Sequence, residues 1–338
     1  MSTLNDVARI AGVTAATVSN VLTGRVPVRE ATRERVLAAI EAVGYRPNMV
    51  ARSLACGKTY TIALLVPSLT NPFFSEVVEE MERVAGTHDY QILLALSNGD
   101  LKQGARHLER LAGRRVDGFI IMGNAAATDD AVALAGTGKP VVLSVWNDPA
   151  TAHILPIVDI DFRLAGELAT RHLLEMGHRR IATILELPVQ STRLDGLQSV
   201  LSNAGITLPA DYLRQGDSSF ESGYYEMEAL LALETLPRAI FAGNDTMAMG
   251  AMLAINDAGK RIPTDIAVVG VDDIMEAAYA HPPLTTVHIP KIGLARIALS
   301  RVLAAIEEEA VFPVMDTLIA PYLVVRQSTR VEVTRQSR

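Results

Sequence analysis

From Thr61 onward, short runs of β-branched and aliphatic residues alternate with amphipathic stretches, and few folds tolerate that rhythm. The apolar runs lie at 62–66, 91–95, 118–122, 141–145, 181–185, 239–242 and 266–269, with helical spacing near 74–87, 100–112, 163–176, 193–204, 222–234 and 245–258. Runs this apolar, joined by helices, predict parallel sheets covered on both faces. The 270 residues from 61 to 330 exceed one comfortable core, so two lobes are expected. No 20–50-residue repeat or low-complexity tract interrupts them.

The first sixty residues follow another pattern. Residues 4–11 read as a short helix with Leu4, Val7, Ala8 and Ala11 on one face, and Gly12 supplies a sharp turn. Thr14 caps a second helix whose apolar face is Val18, Val21 and Leu22. A third helix spans 30–43, with Thr32, Val36, Ile40 and Val43 inward and Gly44 as its stop. Three small helices around Val7, Ala11, Val18, Leu22, Val36 and Ile40 leave Ala15, Ala16, Thr17, Ser19 and Asn20 outside. A helix entering the major groove needs small or hydrogen-bonding residues at its leading end. Ala15 and Ala16 suit thymine methyls, Asn20 suits adenine, and Thr17 and Ser19, with Thr14 at the helix start, suit phosphate oxygens.

The net charge of −7 argues against a DNA binder until it is divided. Residues 1–60 carry eight Lys/Arg against four acids, whereas the remaining 278 carry 23 against 34. The small module is therefore basic and the body acidic, which also excludes a nonspecific architectural protein with a basic body. The lone Cys56 rules out an intramolecular disulfide framework and a cysteine-rich zinc site. No apolar run approaches the ~20 residues needed to cross a bilayer, and the start lacks a secretion signal, so a cytoplasmic protein is expected.

The run from Thr3 to Thr23 resembles the opening of the LacI/GalR family of regulators. Many members have Arg where Asn20 stands, which implies an operator preference of its own. The next stretch, Tyr45-Arg-Pro-Asn-Met-Val-Ala-Arg-Ser-Leu-Ala-Cys-Gly57, is also similar to the family. Pro47 interrupts the preceding helix, Asn48 can cap a new one and Gly57 can end it. The segment between is shorter than the ~12–15 residues an isolated helix needs, so it should fold only against DNA and a second protomer. The resemblance implies that Leu54 wedges into the minor groove, with Arg52 beside it at the DNA. The expected division is a helix-turn-helix domain at 1–46, a hinge helix and linker at 47–60, and an effector-binding and dimerisation domain at 61–330.

Farther on, Thr70-Asn-Pro-Phe-Phe74, Gly177-His-Arg-Arg-Ile181, Gly243-Asn-Asp-Thr-Met-Ala-Met-Gly250, Val269-Gly-Val-Asp-Asp273 and Pro282-Pro-Leu-Thr-Thr-Val287 extend the resemblance along the chain. It implies an α/β two-lobed domain of the type I periplasmic-binding-protein kind. Lobe one would hold about 61–160 and 290–325, and lobe two about 161–288. In open α/β sheets ligands bind beyond the carboxyl ends of the strands, which selects Asn71, Phe74, Asn244 and Asp272. Asp245 reads as a helix cap and Asp273 as a turn residue. The resemblance adds Asp161 and Arg193. Phe162 stands where an Asn is common, and Ser218 where several members place an aromatic, which moves stacking to Phe74 or Phe220. Arg193 facing Asp272 and Asn244 suits a polyhydroxylated molecule.

Catalysis is not expected. Adjacent carboxylates in a strand point opposite ways, and His172 and His178 are not spaced to share one helix face. No phosphate loop, Gly-x-Ser-x-Gly elbow, metal motif or cofactor motif is present. The reading is a homodimeric regulator, usually a repressor in this family, placing two recognition helices on a pseudo-palindromic double-stranded operator. A small-molecule effector between the lobes, a sugar or sugar derivative, would control it; a purine-type effector or corepressor is the alternative. The tail after Arg326 has no leucine heptads, which argues against a coiled-coil tetramer.

Overall fold

The computed structural model describes residues 3–23, 26–45, 57–146, 154–308 and 316–330. Most of the hinge read above, including Arg52, Leu54 and Cys56, lies outside the described residues.

The N-terminal module has helices α1 (Leu4–Ala11), α2 (Ala15–Thr23) and α3 (Glu30–Val43). A capping box opens α1: Asp6 N–H donates to Thr3 Oγ1 at 3.3 Å, and Thr3 N–H donates to Asp6 Oδ2 at 2.9 Å. Gly12 (φ 65°) and Gly44 (φ 60°) end α1 and α3 in the left-handed conformation expected of them. Val7, Ala8, Ala11, Val18, Val36 and Ala39 form the core, with Leu22 and Ile40 packed at its margin.

In the body, one sheet contains β1 (Thr61–Val66), β2 (Gln91–Leu96), β3 (Gly118–Met122), β4 (Val141–Ser144), β5 (Ile157–Ile160) and β11 (Thr317–Ile319), in the order β11-β5-β4-β3-β1-β2. The other contains β6 (Ile181–Leu185), β7 (Leu213–Gln215), β8 (Ala239–Ala242), β9 (Ala267–Asp272), β10 (Thr285–His288) and β12 (Tyr322–Val324), in the order β12-β10-β9-β8-β6-β7. Among the described residues all pairings are parallel except β12 on β10. All seven strands read from the sequence are present. The strands that were not read, β5, β7, β10, β11 and β12, have three or four residues.

The helices after α3 are α4 (Pro72–Thr87), α5 (Leu101–Ala112), α6 (Thr128–Ala135), α7 (Phe162–Glu175), α8 (Ser191–Asn203), α9 (Phe220–Leu231), α10 (Asp245–Asp257), α11 (Met275–Tyr279) and α12 (Lys291–Glu308). The chain passes between the lobes after Ile160, after β10 and after β11. The third passage corrects an expected boundary. The return to lobe one stops at Ile319 rather than near 325, because β12 pairs with β10 of lobe two.

Two glycines bring α7 and α8 together. A Cβ on Gly166 would stand 2.1 Å from the Arg193 carbonyl oxygen, and one on Gly196 would stand 2.1 Å from that of Arg163. The helices therefore touch backbone to backbone, and α8 carries Arg193 over the start of α7. Among the described residues no helix is long and apolar enough to cross a membrane.

Candidate effector cleft and DNA-reading helix

Arg193 lies in the first turn of α8 and is 9% exposed. Its guanidinium carbon sits 4.1 Å above the centre of the Phe162 ring, so the residue replacing the family's Asn forms a floor for the cation. Arg193 Nε is buried with no hydrogen-bond partner among the described residues. Burial lowers the Arg193 pKa, while Asp272, Glu186 and Asp159 favour its charge. A buried donor left open among acceptors is what a polar ligand would satisfy.

Asp272 ends β9 and is 3% exposed. Its φ of 113° lies where non-glycine residues are rare, a local strain of the kind found at ligand clamps. Burial pushes its carboxyl up to about 6, against the pull of Arg193, Lys291 and a hydrogen bond from Asn71; Glu76 adds to the rise. Asp159 on β5 is pushed up to about 7, also by burial, with Arg193 opposing and Asp161 and Asp316 reinforcing. Lys291, 6% exposed, fixes the turn behind Asp272. Its Nζ donates to the carbonyl oxygens of Asp272 (2.8 Å) and Asp273 (2.7 Å) and pairs with Glu76 Oε2 at 3.0 Å. One ammonium thus joins the strained turn of lobe two to α4 of lobe one.

Asp273 faces away from this group. It accepts from Arg326 Nη2 at 2.6 Å and lies 2.8 Å from His288 Nδ1. Burial raises its pKa, but His288 and Arg326 bring it below the usual carboxylate value. Two neighbouring carboxylates in such different settings do not form an acid–base pair. His172 is equally structural, with Nε2 2.8 Å from Thr329 Oγ1.

Other expected residues divide. Asn71 caps α4, its Oδ1 accepting from Phe73 N–H at 3.0 Å, and its side chain also reaches Asp272 across the cleft. Asp161 stands at the first passage between lobes and caps α7 through Leu164 N–H at 2.8 Å. Phe74 is half-buried, edge-on to Phe73 with ring centres 5.1 Å apart. Phe220 opens α9, half-buried, two residues after Ser218.

The cap read at Asp245 belongs to Asn244. Asn244 is the cap of α10: its Oδ1 accepts from Met247 N–H at 2.8 Å and its Nδ2 donates to the Ser218 carbonyl at 3.1 Å. Only one amide hydrogen is left for an effector. Asp245, fully buried, accepts from Thr286 Oγ1 (2.6 Å) and Ile274 N–H (3.0 Å), and burial raises its pKa well above the usual value. It braces the turn that presents Asp272. Sequence reasoning passed over Glu186, although it follows β6 just as Asn71 follows β1. Its carboxylate accepts from Ser218 Oγ.

In the small module, Thr14 Oγ1 accepts from Thr17 N–H at 3.1 Å and shares a hydrogen bond with Thr17 Oγ1 at 2.9 Å, so Thr14 is the cap of α2. Ala15 is half-exposed and packs against the edge of the small core, on the face it shares with Val18 and Leu22. Ala16 is exposed, and Thr17, Ser19 and Asn20 are half-exposed.

Residues 3–48 match the model of bacterial regulatory proteins of the lacI family, and residues 170–329 match a periplasmic binding protein-like domain. The HTH-type transcriptional repressor PurR of Haemophilus influenzae (strain PittEE) is 34% identical over 336 residues, covering 98% of this chain and 99% of the relative. The chain belongs to the lacI family. As a lacI-family protein it is a DNA-binding transcription regulator with an effector-binding body. The ribose operon repressor of Escherichia coli (strain K12) is 38% identical over 303 residues, covering 88% of this chain and 91% of the relative. The lac repressor dimer bound to operator and the anti-inducer ONPF superposes with a TM-score of 0.85 at 29% identity, covering 98% and 99% of the two chains.

Proposed function

We propose that this lacI-family protein is a homodimeric repressor whose operator affinity is set by a sugar or sugar derivative held between its lobes. The observation that carries the reading is Arg193, buried over Phe162 with an unpartnered Nε and Asp272 nearby. Asn71 and Asp161 complete the site from lobe one and the passage between lobes, with Phe74 and Phe220 as candidate apolar walls. Likeness to a ribose operon repressor supports a sugar, and likeness to PurR keeps nucleobases in the test. Thr14, Ala15, Ala16, Thr17, Ser19 and Asn20 meet the operator, with Arg52 and Leu54 at the hinge. The lac repressor dimer on operator supports both the partner and the stoichiometry.

The test is a thermal-shift screen over sugars, sugar acids and nucleobases, repeated on Arg193→Ala and Asp272→Ala. A stabilising hit that both changes abolish, and that alters operator retention in a gel-shift assay, is expected. A hit indifferent to both changes would refute the site.

A further inference from the structure

The charges around Arg193 narrow the ligand beyond the class of sugars. We infer that the cleft selects an uncharged, hydroxyl-rich effector and rejects phosphorylated or carboxylated derivatives of the same sugar. This rests on Arg193 and Asp272 being the effector site. Asp272, Glu186 and Asp159 all act on the guanidinium, and Asp161 and Asp316 stand by Asp159. The second cation, Lys291, is already engaged by Glu76 and two carbonyl oxygens. An anionic ligand would gain one guanidinium and meet at least three carboxyl groups, of which Asp272 and Asp159 would have to hold their protons to receive it.

A hydroxyl group suits this imbalance because it both accepts and donates. It can take a hydrogen bond from Arg193 Nε and give one to a neighbouring carboxylate. The guanidinium covers the Phe162 face at 4.1 Å, so stacking on a ligand falls to Phe74 or Phe220.

The charges also set the direction of pH dependence. Asp272 faces Arg193, Lys291, Glu76 and Asn71, and Asp159 faces Arg193, Asp161 and Asp316. Hydroxyl donation favours the ionised carboxylates, so a neutral sugar releases protons on binding and binds better as pH rises from about 5 to 8. An anion would take up protons and show the opposite slope.

The experiment is titration calorimetry of the full chain with neutral aldoses, their phosphates, their aldonic acids and nucleobases, at several pH values. The expected result is a neutral sugar whose acid and phosphate bind at least about tenfold more weakly. That gap should shrink in Asp159→Asn, whereas exclusion by size would leave it unchanged. A phosphate, acid or nucleobase binding as tightly as any neutral sugar, and lost in Arg193→Lys, would overturn the charge argument and leave the site in place. Binding that survives Arg193→Lys would overturn the site itself, and silence across the panel would overturn both.

Discussion

Both lobes use a six-stranded, largely parallel sheet, but they furnish the cleft differently. Lobe one contributes Asn71, a helix cap that also reaches Asp272, the half-buried Phe74, and Asp159 at its edge. Lobe two contributes the buried charges Arg193 and Asp272, the strained turn that aims Asp272, and the fully buried Asp245 behind it. The same architecture can therefore make one wall a frame and the other an electrostatic centre. Lobe two carries the larger folding cost, since burying charge without a close partner is unfavourable.

The largest expected break in this contrast is Arg193→Ala. It should weaken effector binding at least about a hundredfold, or roughly 3 kcal/mol, in calorimetry, while Phe74→Leu in lobe one costs much less. Next are two glycine substitutions that separate the lobes by packing. Gly196→Ala drives a methyl into the Arg163 carbonyl and should lower unfolding free energy by about 1–3 kcal/mol in urea titrations. Gly86→Ala in α4 meets nothing within 4 Å and should raise it by about 0.5–1 kcal/mol.

Asp272→Asn sharpens the stability side. The folded pKa of about 6 lies above the usual 3.8, so the folded state binds the proton more tightly than the unfolded chain. That contribution is complete below the unfolded value and is lost as pH rises toward 6. Removing the charge should therefore stabilise the protein at neutral pH by about 1–3 kcal/mol, seen as a higher melting temperature, while effector binding is lost. A further effect concerns the link between lobes. Lys291→Met should reduce the effector-induced change in operator affinity by about fivefold, or roughly 1 kcal/mol, in paired gel-shift titrations.

The fold was legible because its long strands are nearly all apolar and its helix ends carry Gly12, Gly44 and Thr14. The site was legible where strand ends alone decide, as at Asn71 and Asp272. The cap was read at Asp245 rather than Asn244 because either polar residue can cap a helix. The extended backbone at Asn244 settles the matter, and that emerges only from folding. Phe162 and Lys291 escaped for a different reason. Their roles depend on α7 meeting α8 and on α12 meeting the turn after β9, contacts that no local pattern encodes.

The backbone contact between α7 and α8 bears on redesign. With Gly166 and Gly196 locking the helices together, the guanidinium of Arg193 is a fixed post that a library of variants will struggle to relocate. New specificity for a biosensor should instead be sought around it. Glu186, Ser218 and Phe220 stand on loops and a helix start, where side chains can change while the post remains in place.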